Sequence, residues 1–225
     1  MEDKHLLILR LEGALQSWDD ISKWDSRGTG DFPTKTGIIG LLGCALGFGR
    51  NDRELVSLNE SMTMAVRADR PGEVFTDFQT VTGYPLLNAE GKPKSTGSTI
   101  ISRRSYLQDA CFTVVLELKG DWHKRVVKAL KEPKWAPYLG RKTCVPSRPI
   151  LECEEPEYSN IDDALHRYPS AERAIYPMEF ETEERHDTLA SITRIDNLVG
   201  INRVYARRQV WRGLVKEAAD VSVKS

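Results

Sequence analysis

The apolar residues fall into short blocks set apart by polar turns, and the spacing within the blocks changes along the chain. HLLILRL (5–11) is apolar at both alternating sets of positions, the pattern of a strand buried in the middle of a sheet. A polar loop, 13–33, follows. TGIIGLLGCALGF (36–48) then places Ile38, Leu41, Leu42 and Ala45 on one side of a helix. Gly40, Gly43, Cys44 and Gly47 recur along a second strip. Each glycine costs a helix about 1 kcal/mol against alanine, so this strip is expected to pack closely on a sheet or another backbone. DRELVSLNES (52–61) reads as a short helix and MTMAVRAD (62–69) as a strand. FTDFQTVTGY (75–84) and STIISRRSYL (98–107) are strand-like and flank the turn-rich PLLNAEGKPKSTG, which predicts a long β-hairpin with a polar tip. CFTVVLEL (111–118) is a strand, and DWHKRVVKALK (121–131) is an amphipathic helix with Asp121 as its N-cap. Further on, 146–152 reads as a short strand, 160–168 as a short helix, and 174–182 and 204–211 as strands.

This order predicts an α+β fold of the ferredoxin-like (RRM-like) β-α-β-β-α-β kind with a hairpin inserted. The expected division is a ferredoxin-like domain over 1–151 with a thumb-like hairpin at about 76–106, a strand-rich extension over 152–213, and a tail over 214–225. Such a fold leaves function open.

Composition narrows the class. No apolar run among the 225 residues approaches the roughly 20 of a membrane span, and the acidic start MEDKHLL is unlike a signal peptide. A cytoplasmic protein with no membrane partner is expected. Cys44, Cys111, Cys144 and Cys153 form no C-x-x-C and have no nearby histidine pairs, so they read as reduced thiols, with no metal and no cofactor. The net charge of -1 hides strong local sorting. Lys134, Arg141, Lys142 and Arg148 occur without an acid between 133 and 151. Glu152, Glu154, Glu155 and Glu157 follow, and then Arg203, Arg207, Arg208 and Arg212 in 203–212.

Three segments carry candidate chemistry. In FPTKTGIIGLLG (32–43), Thr34, Lys35 and Thr36 sit at a helix start, where free N–H groups and the helix dipole favour a phosphate; the plain alternative is an N-cap with a solvated lysine. In YLGRKTCVPSRP (138–149), Gly140 permits close backbone approach, and Arg141, Lys142 and Arg148 suit phosphates or bases; the alternative is a solvated basic loop. The hairpin carries Lys92, Lys94, Arg103, Arg104 and Tyr106, which suit a clamp on a nucleic-acid strand or serve only to discourage edge pairing. Trp18, Trp24 and Tyr106 are either base-stacking platforms or core. No nucleophile, zinc or dinucleotide motif is present, and His123 and His186 read as surface residues. A metal-free ribonuclease needs a general base, a general acid and a cation, and no histidine lies inside the basic segments.

Taken together, HLLILRLEGALQSW, FPTKTGIIGLLGCALGFGRND, SRRSYLQDACFTVVLEL, YLGRKTCVPSRPI and INRVYARRQVW resemble the CRISPR-associated Cas-five family of the RAMP superfamily. The likeness is to its CasD-type branch from type I-E Cascade surveillance complexes. This resemblance implies a non-catalytic prokaryotic subunit in antiviral defence that binds the repeat-derived 5′ handle of the guide RNA. It further implies that the subunit caps one end of the filament of Cascade backbone subunits, abuts the large subunit and meets target DNA only indirectly. Gln16, Ser17, Trp18, Arg27, Thr34, Lys35, Thr36, Arg103, Arg104, Arg141, Lys142 and Arg148 would then surround or steady the handle, with Lys92, Lys94 and Tyr106 on the thumb. The alternatives are a metal-independent endoribonuclease that processes precursor guide RNA and a protein scaffold that touches RNA incidentally.

Overall fold

The computed structural model describes residues 4–19, 26–82, 85–87, 90–93 and 99–216. In chain order its elements are β1 (Lys4–Glu12), β2 (Leu15–Gln16), β3 (Ser26–Arg27), α1 (Lys35–Leu46), α2 (Glu54–Glu60), β4 (Met62–Arg70), β5 (Glu73–Val81) and β6 (Ile100–Gln108). They continue with β7 (Cys111–Lys119), α3 (Trp122–Lys131), β8 (Leu151–Cys153), α4 (Ile161–Arg167), β9 (Met178–Thr182), β10 (Ala190–Gly200) and β11 (Val204–Val215). One sheet has the strand order β10-β11-β9-β4-β7-β1-β8, and its pairings are antiparallel. Within it, β4-β7-β1-β8 is the ferredoxin-like arrangement, with the doubly apolar β1 in the interior as its sequence pattern predicts.

Alternation decides the two faces. Leu7, Leu9 and Leu11, Met64 and Val66, and Phe112, Val114 and Leu116 form one buried layer with Ile38, Leu41 and Leu42 of α1 and Val126 of α3. The glycine strip of α1 divides. A Cβ on Gly43 would lie 2.5 Å from Leu55 of α2, so this glycine permits the helices to approach, whereas Gly40 faces open space. Asp121 occupies the cap position of α3 but makes no side-chain cap bond, because its own backbone is already helical (φ -72, ψ -6).

The opposite face carries a second apolar cluster, with Ala65, Val115, Leu165 and Phe180, and beside it a buried polar one. Arg10, Arg67, Asp69 and Thr113 are at most 2 % exposed. Asp69 accepts from Arg10, from Arg67 Nε (2.7 Å), from Thr113 Oγ1 (2.9 Å) and from the Ala171 amide (2.6 Å). Arg67 also donates to the carbonyls of Leu165 (2.7 Å) and Tyr168 (2.9 Å), which fastens α4 and the turn after it onto the sheet.

At Gly72 (φ 75) the chain leaves this sheet and continues as the β5–β6 hairpin, paired from Glu73↔Gln108 to Val81↔Ile100, before returning as β7. The hairpin is therefore an outward extension of the β4–β7 pair. Strand β10 is absent from the pattern reading because its inward set mixes polar Arg194 and Asp196 with apolar Ile192 and Leu198, while Ile195 and Val199 face outward. Arg194 and Asp196 are ion-paired there, so no apolar alternation marks it. Leu214 and Val215, expected in the tail, are the last residues of β11.

Asp69→Ala strands two buried guanidinium groups without their carboxylate. Removing one partner of a buried ion cluster costs about 3–5 kcal/mol. In a chain of this size each kcal/mol lowers Tm by roughly 2–4 °C, so a fall of about ten degrees is expected in thermal unfolding.

Candidate nucleic-acid interface

Beyond the end of β1 the chain turns into β2, which pairs with the hairpin base through Leu15↔Gln108 and Gln16↔Leu107. Gln16 is fully buried. Its Nε2 donates to the carbonyls of Leu11 (3.1 Å) and Ala110 (2.8 Å), and its Oε1 accepts from Trp18 Nε1 (3.0 Å). The Trp18 indole is 1 % exposed and packs on Gly37, where a Cβ would come within 2.9 Å of the ring. On the other side lies Gly140, whose φ of 85 and approach to Ser17 (1.7 Å from an added Cβ to the carbonyl oxygen) exclude any side chain. The helix start and the basic loop, distant in sequence, therefore meet through one buried tryptophan.

Arg141 completes this junction. Its Nη1 donates to the Ser105 carbonyl (3.1 Å) and its Nη2 to the carbonyls of Arg27 (3.0 Å) and Gly28 (2.9 Å). Its guanidinium lies 4.8 Å from the Tyr106 ring centroid. Strand β3 runs parallel to β6 with Ser26↔Arg103 and Arg27↔Arg104 in register. The structure thus brings Arg27, Arg104 and Arg141 to one face of the thumb base, while Arg103, next to Arg104 in β6, points to the other face over Phe78 (5.4 Å to the ring centroid) and Lys142 follows Arg141 in the loop. Arg103, Arg104, Arg141 and Lys142 have no ion-paired carboxylate among the described residues. Asp77 stands opposite Arg104 in β5 and accepts from Gln79 (2.6 Å), while Asp19 approaches Gly28. Like charges directly opposite in a ladder repel, and Arg27 opposite Arg104 is such a pair.

Several expected contacts are internal instead. Gln16, Ser17, Trp18 and Tyr106 are 0 %, 4 %, 1 % and 4 % exposed, so they support the site from beneath and offer no stacking face. The close approach that Gly140 permits is to Ser17. At the start of α1, Thr34 caps Gly37 (3.2 Å), and the Lys35 amide donates to the Asp196 carboxylate (2.7 Å). Lys35 Nζ, also buried, donates to the Met62 carbonyl (2.8 Å) and to Glu183 (3.0 Å). The anion that the helix dipole favours is thus supplied by the protein itself, and Thr36 is half-buried in the same turn. Arg148 pairs with Glu152 (2.6 Å), and Lys92 pairs with Glu90 (3.3 Å) on the hairpin. Trp24 and Lys94 lie outside the described residues.

The 203–212 stripe also divides. Arg208 pairs with Asp196 (2.6 Å), and Arg212 with Asp31 (2.8 Å) and Glu181 (2.5 Å), leaving Arg203 and Arg207 exposed. His123 is buried, contrary to the surface reading, with Nε2 2.6 Å from the Glu154 carbonyl oxygen and its ring 5.1 Å from that of His5. His186 is half-buried, 3.2 Å from Asp162. Among the described residues no group of three or more His, Cys, Asp or Glu could hold a metal ion.

Two outcomes follow from these contacts. Gly140→Ala forces a side chain into the left-handed region and against the Ser17 carbonyl. The conformation alone costs about 1–3 kcal/mol, so denaturant unfolding shifts to lower midpoint. Burial raises the Asp31 carboxyl, but Arg212 and Arg194 outweigh it and hold the group below the ordinary carboxylate range. A depressed folded value contributes stability above the unfolded pKa of about 3.9 that is lost as the pH falls through the folded value. Asp31→Asn is expected to show a shallower loss of Tm below pH of about 4 than the native chain.

Comparison with known proteins agrees with this architecture. Residues 6–213 match the family described as CRISPR-associated protein (Cas_Cas5). CRISPR system Cascade subunit CasD of Escherichia coli (strain K12) is 35 % identical over 232 residues, covering 96 % of this chain and 98 % of that one. A chain of a solved CRISPR RNA-guided surveillance complex has a TM-score of 0.75 at 29 % identity, with 94 % of this chain and 90 % of that chain covered. A crystal structure of a Cas protein has a TM-score of 0.70 at 29 % identity, with coverage of 94 % and 95 %. A match of this length, in sequence and in fold, places the chain in the CRISPR-associated Cas_Cas5 family.

Proposed function

We propose that this chain is a non-catalytic subunit of a Cascade-type, RNA-guided surveillance complex and holds the repeat-derived 5′ handle of the guide RNA at the base of its thumb. The observation that carries the proposal is the set of cations around the thumb base, with Arg27, Arg104 and Arg141 on one face, Arg103 on the other and Lys142 in the adjoining loop. Three chain segments converge there, and Arg103, Arg104, Arg141 and Lys142 have no ion-paired carboxylate among the described residues. A run of phosphates is the ligand that relieves mutual repulsion of this kind. Phosphate contacts fix the position of a strand and supply the salt-dependent part of its affinity. The name of the Escherichia coli relative, a Cascade subunit, supports the same assembly for this chain. In it the chain would cap the filament of backbone subunits, abut the large subunit and reach target DNA only through the guide, in the prokaryotic cytoplasm.

The placement of the histidines favours holding over cutting. His5 and His123 lie near the start of β1, while the cluster lies past its end, about 20 Å away at strand rise. His166 and His186 flank Asp162 on the α4 side. Phosphodiester cleavage without a metal needs a general base and a general acid beside the cation, and histidine supplies neither at the thumb base.

The Arg103→Ala, Arg104→Ala, Lys142→Ala triple variant is expected to keep its melting temperature while losing handle affinity in the assembled complex. Its slope of log K against log salt falls by roughly 0.7 for each phosphate contact removed. Unchanged RNA occupancy and slope would place the handle elsewhere. Purified protein incubated with a labelled repeat hairpin in EDTA is expected to leave it intact; cleavage at one site would replace the proposal with the endoribonuclease reading.

A further inference from the structure

The five cations of the thumb base are not equivalent. Lys142 and Arg103 are exposed. Arg141, by contrast, is turned inward. Its donors meet three main-chain carbonyls, at Ser105, Arg27 and Gly28, at 3.1, 3.0 and 2.9 Å, and its guanidinium carbon lies over the Tyr106 ring. These carbonyls come from two segments nearly eighty residues apart, and Arg141 comes from a third. We infer that Arg141 is a positioning residue that clasps β3 to the thumb base and so sets the spacing of Arg27, Arg103 and Arg104, and that it is not itself a phosphate ligand. This rests on the handle reading for its functional consequence, but not for the clasp.

The need for a clasp follows from the size of β3. It is two residues long, and its ladder to β6 is the two-residue parallel register Ser26↔Arg103 and Arg27↔Arg104. A ladder this short is marginal without packing, and it brings Arg27 against Arg104. Carbonyl dipoles directed at a guanidinium fix the register against that repulsion, and an arginine bonded to carbonyls keeps its net charge. The clasp therefore orders β3 while raising the positive potential that draws a polyanion. The lining is built for a planar fork. Arg presents five donors in one plane and stacks on an aromatic face, whereas the Lys ammonium is a point donor on a flexible stem. Gly140, held against Ser17, and the Leu139 carbonyl, which accepts from the Ser17 amide (3.1 Å), fix the loop from which Arg141 extends.

Charge and geometry can be separated with Arg141→Lys, which keeps the charge and loses the fork. Amide hydrogen exchange on the full chain without RNA is expected to accelerate at 26–29 and 103–106 in Arg141→Lys and to remain native in Lys142→Ala. In the assembled complex, Arg141→Lys is expected to weaken handle binding by about tenfold, the scale set by losing charge-assisted hydrogen bonds. Lys142→Ala instead lowers the salt slope. Native exchange at 26–29 and 103–106 in Arg141→Lys overturns the clasp. Accelerated exchange with native handle affinity keeps the clasp but removes its bearing on RNA. If the native complex does not hold the handle at the thumb base, the functional proposal fails, while the exchange result still decides the clasp.

Discussion

The burial of one tryptophan holds the thumb base together. Trp18 lies between the first turn of α1 and the 138–145 loop, and it fits because the positions facing it are glycine. A Cβ on Gly37 would meet the indole, and one on Gly140 would meet the carbonyl of the preceding Ser17. The indole N–H goes to Gln16, whose own amide bridges the end of β1 to the start of β7. This contact ties three distant segments to the ferredoxin-like sheet. A clustered set of cations on their surface then acquires a fixed spacing, which a flexible loop could not give it.

Charge in this chain is sorted by geometry more than by sequence neighbourhood. Arg10, Arg67, Arg194, Arg208 and Arg212 all serve internal contacts that hold the C-terminal segments against the ferredoxin-like core. Asp196 occupies the start of α1, and Asp69 gathers two guanidinium groups beneath α4. Among the described residues, Arg103, Arg104, Arg141 and Lys142 at the thumb base have no such internal carboxylates. The contrast, more than the number of basic residues, marks that surface as the one suited to a polyanion.

The sequence reveals the ferredoxin-like core because β1, β4, β7, α1 and α3 carry their apolar periodicity intact. It reveals the hairpin because turn formers separate two strand-like runs. It conceals β10, where Arg194 and Asp196 take two of the inward positions between Ile192 and Leu198. With β10 hidden, Asp196 could not be foreseen at the helix start, and Thr34 to Thr36 looked open to a phosphate. Aromatic identity did not distinguish Trp18 and Tyr106 as supports from stacking platforms, since that depends on which neighbours are glycine in three dimensions. One signal was present and informative: Arg10, Arg67 and Asp69 interrupt otherwise apolar strands, and charged residues in such places are paired when buried.

The central claim is that the RNA lies over the thumb base and not over the start of α1. Photo-crosslinking of the assembled complex, with thiouridine placed through the guide handle and adducts mapped by mass spectrometry, tests it directly. The account predicts adducts at 27–28, 103–104 and 141–142, and none at 34–36, where Asp196 already occupies the helix end. Adducts at 34–36, or their absence from 103–104 and 141–142, would contradict it.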